Sequence, residues 1–314
     1  MSNNIIVIGS INMDIVIKTK EIPKIGETVI GKEIIENPGG KGANQAVALA
    51  KLGAEVSFLG MIGNDVNGKK LISAMKEYGV DTSLIETVEG SSGTAFITVD
   101  DQGKNNIIVV PAANYKVDKN YINKHIDAIE KSKIVLLQHE IPIDTVKEVI
   151  LLSKKLGKTT VLNPAPANSL EDEVLKNVDI LIPNEYELGR ISNIEIKDRA
   201  SIIEASRYII DKGNGVLKVI TTLGEKGTIY VDKDKVQYFH PIPTDVVDTT
   251  AAGDSFLGGF LYSYMLTEDI FRSIDFGQKV ASLTIQRYGA QVSLPTLKEV
   301  NGYNLPNSNG GMIN

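Results

Sequence analysis

Short, almost wholly apolar runs rich in β-branched residues recur along the chain, separated by longer stretches whose apolar positions return every three to four residues. IIVIG precedes residues 43–52 and VSFLGMIG precedes residues 69–78. The alternation resumes with KIVLLQHE, residues 145–156, TTVLNPAP, VDILIPNE, residues 200–212 and VLKVITTLG. The first kind of run predicts strands buried on both faces, and the second predicts amphipathic helices. Strand–helix–strand order means parallel crossovers, so the expected fold class is α/β: a doubly wound, mostly parallel sheet flanked by helices and opening with a βαβ unit. Gly53, Gly79, Gly157 and Gly213 each follow the last turn of an expected helix, where a left-handed residue without Cβ closes the helix at little cost.

Two regions break this rhythm. Residues 15–35, and residues 94–110 with the polar turn DDQGKN, read as antiparallel strands of one small sheet, with segments at about 13–37 and 92–112. A few strands with one apolar face cannot stand alone in water, so this sheet is expected to act as a lid over a ligand, as the contact of a homodimer, or as both. Residues 1–300 are read as a single α/β domain. Residues 301–314, rich in Asn and Gly, are read as a flexible tail.

Composition narrows the chemistry. The 314 residues include no cysteine, which excludes disulfides, thiolate metal sites and cysteine nucleophiles, and a reducing cytoplasm fits. No signal-like segment opens the chain and no apolar run reaches membrane-spanning length, so no membrane association is expected. A net charge of −6, with 33 basic residues mixed among 39 acidic ones, argues against nucleic acid as a partner. A phosphate-bearing ligand would have to be held by helix N-termini, glycine-rich backbone and cations. His125, His139 and His240 have no ligand-like spacing and are read as structural or solvent-facing.

The segment VVDTTAAGDSFLGGFLYSYML carries the most information. Small residues Ala251, Ala252 and Gly253 lead into a helix with Asp254 in its first turn. Free backbone N–H groups at that helix start form an anion hole for a phosphoryl group in flight, and Asp254 beside it can accept a proton from an attacking hydroxyl. The helix N-terminus favours the carboxylate, so Asp254 should be a weak base and proton transfer late. From the residues alone, Asp254 is equally a helix-capping carboxylate. Gly39-Gly40-Lys41-Gly42-Ala43-Asn44 is a glycine loop opening a small-residue helix and is neither a Walker A loop nor G-x-G-x-x-G; GSINMD after the first strand is likewise not the G-x-G-x-x-G loop a dinucleotide dehydrogenase needs there, which argues against that reading. Ser10-Ile11-Asn12-Met13-Asp14 after the first strand, Asn184-Glu185-Tyr186-Glu187, and Thr222-Leu223-Gly224-Glu225-Lys226-Gly227 all follow apolar strands. They should therefore gather on the carboxyl edge of the sheet, where open α/β sheets bind ligands.

GGKGANQA, the NxxE of Asn184 and Glu187, and DTTAAGD resemble, in order and spacing, the ribokinase family, also called the PfkB carbohydrate kinases, from about Asn3 to Pro295. The resemblance implies ATP-dependent phosphorylation of a sugar. GSINMD, GGKGAN, the Glu140 of LLQHEIP and AAGDSF narrow it to a pentose, with ribose phosphorylated at O5. It implies that Asn12, Met13, Asp14, Gly40, Lys41, Gly42, Ala43, Asn44 and Glu140 hold the sugar and that Asp254 activates its hydroxyl. It further implies that Asn184, Thr222, Leu223, Gly224, Glu225, Lys226, Gly227, Gly253 and Gln278 contact ATP. Glu187 would hold Mg²⁺ through water, and Asp248, Thr250, Thr284, Arg287, Gly289 and Ser293 would hold an activating K⁺. Gln278, where some relatives carry histidine, and Leu257, where a polar residue is common, depart from the family pattern. Alternative readings are a sibling kinase acting on deoxyribose, fructose or adenosine, or a non-catalytic sugar or nucleotide regulator of the same fold.

Overall fold

A computed structural model describes residues 4–215 and 217–303. In chain order its strands are β1 (Ile5–Ile8), β2 (Asn12–Lys18), β3 (Glu33–Gly39), β4 (Val56–Leu59), β5 (Met61–Gly63), β6 (Glu86–Val88), β7 (Gly93–Val99), β8 (Asn105–Val110), β9 (Ile134–Gln138), β10 (Thr159–Asn163), β11 (Ile180–Leu181), β12 (Lys218–Thr222), β13 (Thr228–Val231) and β14 (Val236–Phe239). The helices are α1 (Lys41–Lys51), α2 (Val66–Glu77), α3 (Lys119–Lys124), α4 (Ile126–Lys131), α5 (Ile143–Lys155), α6 (Asp172–Leu175), α7 (Glu185–Ser192), α8 (Arg199–Lys212), α9 (Ala252–Thr267), α10 (Ile270–Thr284) and α11 (Leu297–Gly302).

Eight strands form the main sheet in the order β14-β13-β12-β11-β10-β9-β1-β4. The pairings from β4 to β12 are parallel, and β13 and β14 add antiparallel at one edge. Consecutive residues of β1 serve opposite faces: Ile5 and Val7 pack with α1, α2, α9 and α10, whereas Ile6 and Ile8 pack with α3 to α8. Burial on both faces is why these strands read as unbroken apolar runs rather than alternating ones. From β1 the chain crosses to β4 on one side, and later to β9 on the other. That reversal opens a crevice at the carboxyl ends of β1 and β9.

The second sheet, β3-β2-β7-β8, contains two antiparallel hairpin-like pairs, β2–β3 and β7–β8. They are joined through a parallel β2–β7 pair, which links segments some 80 residues apart and so leaves no hairpin signal. Ile107, Ile108, Val109 and Val110 of β8, with Phe96 and Ile34, remain exposed.

Gly53, Gly79 and Gly157 do take left-handed angles after their helices. Gly213 does not: its φ is −82°, and the left-handed residues are Asn214 and Gly215 that follow. Of the residues expected to form a flexible tail, Asn301 and Gly302 complete α11 and Tyr303 packs beside Val300 and Leu283. Residues 304–314 lie outside the described residues. Among the described residues, no helix is long and apolar enough to cross a membrane.

Candidate active site

The crevice gathers residues from four stretches. After β1 the chain turns through Gly9–Ile11 into β2, and after β3 it turns at Gly40 into α1. Gly40 has φ +89°, and a Cβ there would lie 2.8 Å from the Asn12 backbone nitrogen, so both conformation and space require glycine. Ser10 pins the two turns together: its carbonyl accepts from Ala43 N–H at 2.9 Å and its Oγ from Gly42 N–H at 3.3 Å. Glu140, beyond β9, accepts from Ser10 Oγ at 2.5 Å and from Lys41 N–H at 3.0 Å. The Gly42 and Ala43 amides are thus spent on the loop itself, and the Met13 side chain is buried in the core, leaving only its backbone for a ligand.

Asn12 is aimed by a residue the sequence reading missed. Asn114, buried ahead of α3, is clamped to the main chain of Ile11, accepting from Ile11 N–H at 2.9 Å and donating to its carbonyl at 3.2 Å. Its Nδ2 also donates to Asn12 Oδ1 at 2.7 Å, so Asn12 presents its N–H₂ elsewhere. Nothing in PAANYK marks this role, since Asn114 and Asn12 are 102 positions apart.

Asp254 lies in the first turn of α9 and is nine-tenths buried. Its Oδ2 accepts from Asn44 Nδ2 at 3.0 Å and its Oδ1 from Gln45 Nε2 at 2.9 Å. The helix entry is left-handed at Ala251, φ 58°, with no side-chain cap, which leaves donors uncovered. Ala252 N–H is the exception among the expected anion-hole groups: it donates to Thr249 C=O at 3.2 Å. The amides of Ala251, Gly253 and Asp254 have no acceptor among the described residues, and a Cβ on Gly253 would meet only open space. The opening over Gly253 is therefore wide enough for a ligand to reach those amides.

Lys41, Asp14, Glu140, Asp254 and Glu187 act on one another electrostatically. Burial works against the Lys41 ammonium, but the combined pull of Asp254, Glu140, Glu187 and Asp14 holds it above its ordinary value. Burial raises Asp254, with Glu140 adding to the rise and Lys41 and the two amide donors opposing it. This runs against the expectation of a helix-weakened base: burial, the largest influence on Asp254, raises it. Burial, with Glu140 and Asp254, pushes Asp14 from 3.8 up to about 7. Folded Asp14 thus keeps a proton up to about pH 7 that the unfolded chain releases near 3.8. The folded state binds more protons in that window, so stability from this residue falls as pH rises through it and is lowest above it. Asp14→Asn should therefore raise the melting temperature of the ligand-free protein by a few degrees at pH 8 and hardly change it at pH 4. An equal shift at both pH values would remove Asp14 as the cause.

On the other side of the crevice, Asn184 and Glu187 form a capping box at the start of α7. Glu187 N–H donates to Asn184 Oδ1 at 2.8 Å, and the Glu187 oxygens accept from Asn184 N–H and Nδ2, both at 2.9 Å. Thr222 N–H donates to Pro183 C=O at 3.0 Å, which brings the loop at Gly224–Gly227 beside it. Lys226 also reaches Glu185, 3.4 Å away on the surface. Glu225 is exposed, and the Leu223 side chain is buried in the core. Gln278 donates to Thr228 Oγ1 at 3.3 Å, and Leu257 lies on the face of α9 that is buried in the core, which explains an apolar side chain there. His139 is buried and pushed down to about 4, hence neutral, with Nδ1 at 3.2 Å from Pro166 C=O.

The residues fit the two implied cations differently. Glu187 is 7% exposed and both its oxygens already accept bonds from Asn184, a setting suited to an outer-sphere contact with hydrated Mg²⁺. Among the described residues no cluster of three or more His, Cys, Asp or Glu resembles a tight divalent site. Asp248 ties two loops: it accepts from Thr250 N–H and Oγ1 at 2.9 and 2.6 Å, and from Gly289 N–H at 2.9 Å. Thr284 and Ser293 spend their hydroxyls on the carbonyls of Val280 and Ala290, and Arg287 pairs with Glu299 at 2.7 Å. What these loops have left is mainly carbonyl oxygen, the donor type that suits a large monovalent ion.

The model of the pfkB family carbohydrate kinases matches residues 2–297. The chain is 38% identical over 304 residues to a ribokinase of Staphylococcus aureus (strain COL), covering 96% of this chain and 99% of that protein. Its fold is similar to the crystal structure of ribokinase from Thermotoga maritima, with a TM-score of 0.86, 36% identity, and 95% and 97% of the two chains covered. It is also similar to Arabidopsis thaliana ribokinase complexed with ribose and ATP, with a TM-score of 0.88, 32% identity, and 96% and 98% covered. A crevice at the sheet's switch point, a buried carboxylate at an uncapped helix start and this match along almost the whole chain lead to one conclusion: the chain belongs to the pfkB family of carbohydrate kinases, the ribokinase family.

Proposed function

We propose that the protein transfers the γ-phosphoryl group of ATP to the O5 hydroxyl of D-ribose, giving ribose 5-phosphate and ADP. The observation that carries this reading is Asp254, held by Asn44 and Gln45 beside the open amides of α9 and facing the polar cluster of Lys41, Asp14 and Glu140. Similarity to a relative solved with ribose and ATP supports the substrate pair.

In this reading Asn12, Asp14, Lys41, Asn44 and Glu140 hold the sugar beside the backbone of Met13 and Gly40, while Gly42 and Ala43 shape the loop that carries them. Asp254 orients O5 and takes its proton as the new O–P bond forms and the bond to the ADP oxygen breaks. The amides of Ala251, Gly253 and Asp254 stabilise the charge on the moving group. Asn184, Thr222, the Leu223–Gly227 loop, Gly253 and Gln278 hold ATP. Mg²⁺, held through water at Glu187, would neutralise charge on the phosphates, and K⁺ would sit on the carbonyls around Asp248. The assay is direct: protein, Mg·ATP and ribose, with and without K⁺, followed by ADP and ribose 5-phosphate, then the same with deoxyribose, fructose and adenosine. Ribose should give the highest kcat/KM; another acceptor outperforming it would overturn the assignment.

The second sheet serves as the lid that excludes water, and its exposed β8 face as the contact of a homodimer in the cytoplasm. Ile108→Asp should shift the protein from dimer to monomer in sedimentation at micromolar concentration. A wild-type monomer would end the dimer proposal.

A further inference from the structure

Behind Asp254 runs a chain of side-chain amides, buried at Gln45 and Gln138 and half-buried at Asn163, that the reaction does not use directly. Gln45 Nε2 donates to Asp254 Oδ1 at 2.9 Å and to Asn163 Oδ1 at 3.1 Å, while Gln45 Oε1 accepts from Gln138 Nε2 at 2.6 Å. Asn163 Nδ2 donates to Ile182 C=O at 2.9 Å. The direction of the chain follows from its ends. A main-chain carbonyl can only accept, so Asn163 must present its oxygen to Gln45, and Gln45 must present its N–H₂. The second N–H of that group then points at Asp254.

Gln45 and Gln138 are fully buried, at 0% exposure. Gln138 Oε1 has no donor among the described residues. A buried carbonyl left unpaired is costly, and the cost is explained if orientation is what the chain secures. Position 9 makes room for it, since a Cβ on Gly9 would lie 2.0 Å from Gln138 Oε1.

We infer that Gln45, oriented by Gln138 and Asn163, is a positioning residue that favours the ionised form of Asp254 against its burial and leaves its remaining lone pairs to the acceptor hydroxyl. Burial favours the proton on Asp254; a fixed N–H donor favours the anion, which is the form a base needs. Lys41 of α1, Asp14 of β2, Glu140 beyond β9 and Glu187 of α7 also act on this carboxylate or its neighbours. They are unchanged in the variants below, so differences isolate the amide.

The inference rests on Asp254 acting as base, and its test does not require turnover. In protein labelled with ¹³Cγ-aspartate, the Asp254 resonance is identified by its loss in Asp254→Asn and titrated in wild type, Gln45→Met and Gln138→Met. Loss of one donor to a charged group should move the Asp254 midpoint up by about one pH unit in Gln45→Met. Gln138→Met, which frees Gln45 to rotate, should move it less and in the same direction. In the assay, kcat of Gln45→Met should fall about tenfold with KM for ATP unchanged, and the same substitution in an Asp254→Asn background should cost nothing further. An unmoved midpoint in a folded Gln45→Met, or in Gln138→Met should the first not fold, overturns the inference even if the enzyme proves to be a ribose kinase. A protein inactive on every sugar but showing the shift would overturn the function and leave the amide chain standing.

Discussion

Asp254→Asn should lower kcat by about three orders of magnitude or more while leaving the fold and ATP affinity nearly unchanged, because it removes both the proton acceptor and part of the hydroxyl's positioning. The asparagine keeps the shape of the side chain. Its Oδ1 can still accept from one of Asn44 or Gln45, while its N–H₂ must face the other donor. One hydrogen bond is therefore lost, but a buried carboxyl whose ionised form is disfavoured is lost too, and the two effects on stability oppose each other. Thermal melting should move little, and Mg·ATP titration should give the same affinity. Near-normal ribose turnover in this variant would remove Asp254 from the mechanism.

Lys41→Met should have the next largest effect. Lys41 is the first residue of α1, at the end of a helix where a cation is disfavoured, and it is held there by four carboxylates. Removing one partner from a buried charge cluster leaves the others uncompensated, at a cost of roughly 3–5 kcal/mol. Felt in full by the transition state, a loss of that size would lower kcat/KM for ribose by roughly two to four orders of magnitude. The variant also carries a signature in pH. Without the ammonium, Asp14, already at about 7, and Asp254 rise further, so the folded variant keeps its carboxyl protons to higher pH than wild type does. Its stability should fall as pH rises through those raised values. The melting temperature of Lys41→Met should thus lie well below wild type at pH 8 and approach it near pH 5. A deficit of the same size at both pH values would mean that Lys41 fills space rather than balancing charge.

Much of the architecture was readable because it is written locally. Apolar runs at β1, β9 and β12, helical periodicity at α1, α5 and α8, and glycines after three helices each carry their own signal within ten residues or so. Motif residues were readable for the same reason: Gly40 and Lys41 at one helix start, Asn184 and Glu187 in one capping box, Ala251 to Asp254 at another. What escaped were partners brought together from far apart. Asn114, Gln138, Asn163 and Gln291 look like ordinary polar residues in sequence, and Gln291 reaches Asn44 at 3.3 Å across 247 positions. No spacing rule connects residues at that distance.

Asp254 shows where the boundary falls. From sequence alone follow the helix, its small-residue entry and a carboxylate in its first turn, because backbone propensity and side-chain size act within a few residues. Which way that carboxylate's basicity moves was read wrongly from sequence, since the helix terminus is the only influence visible there. Desolvation depends on how completely the sheet, α1 and α9 close around the side chain, and on which amides and charges they bring with them. Only the tertiary structure sets those distances, and the burial that comes with them is the largest influence on the carboxylate and raises it.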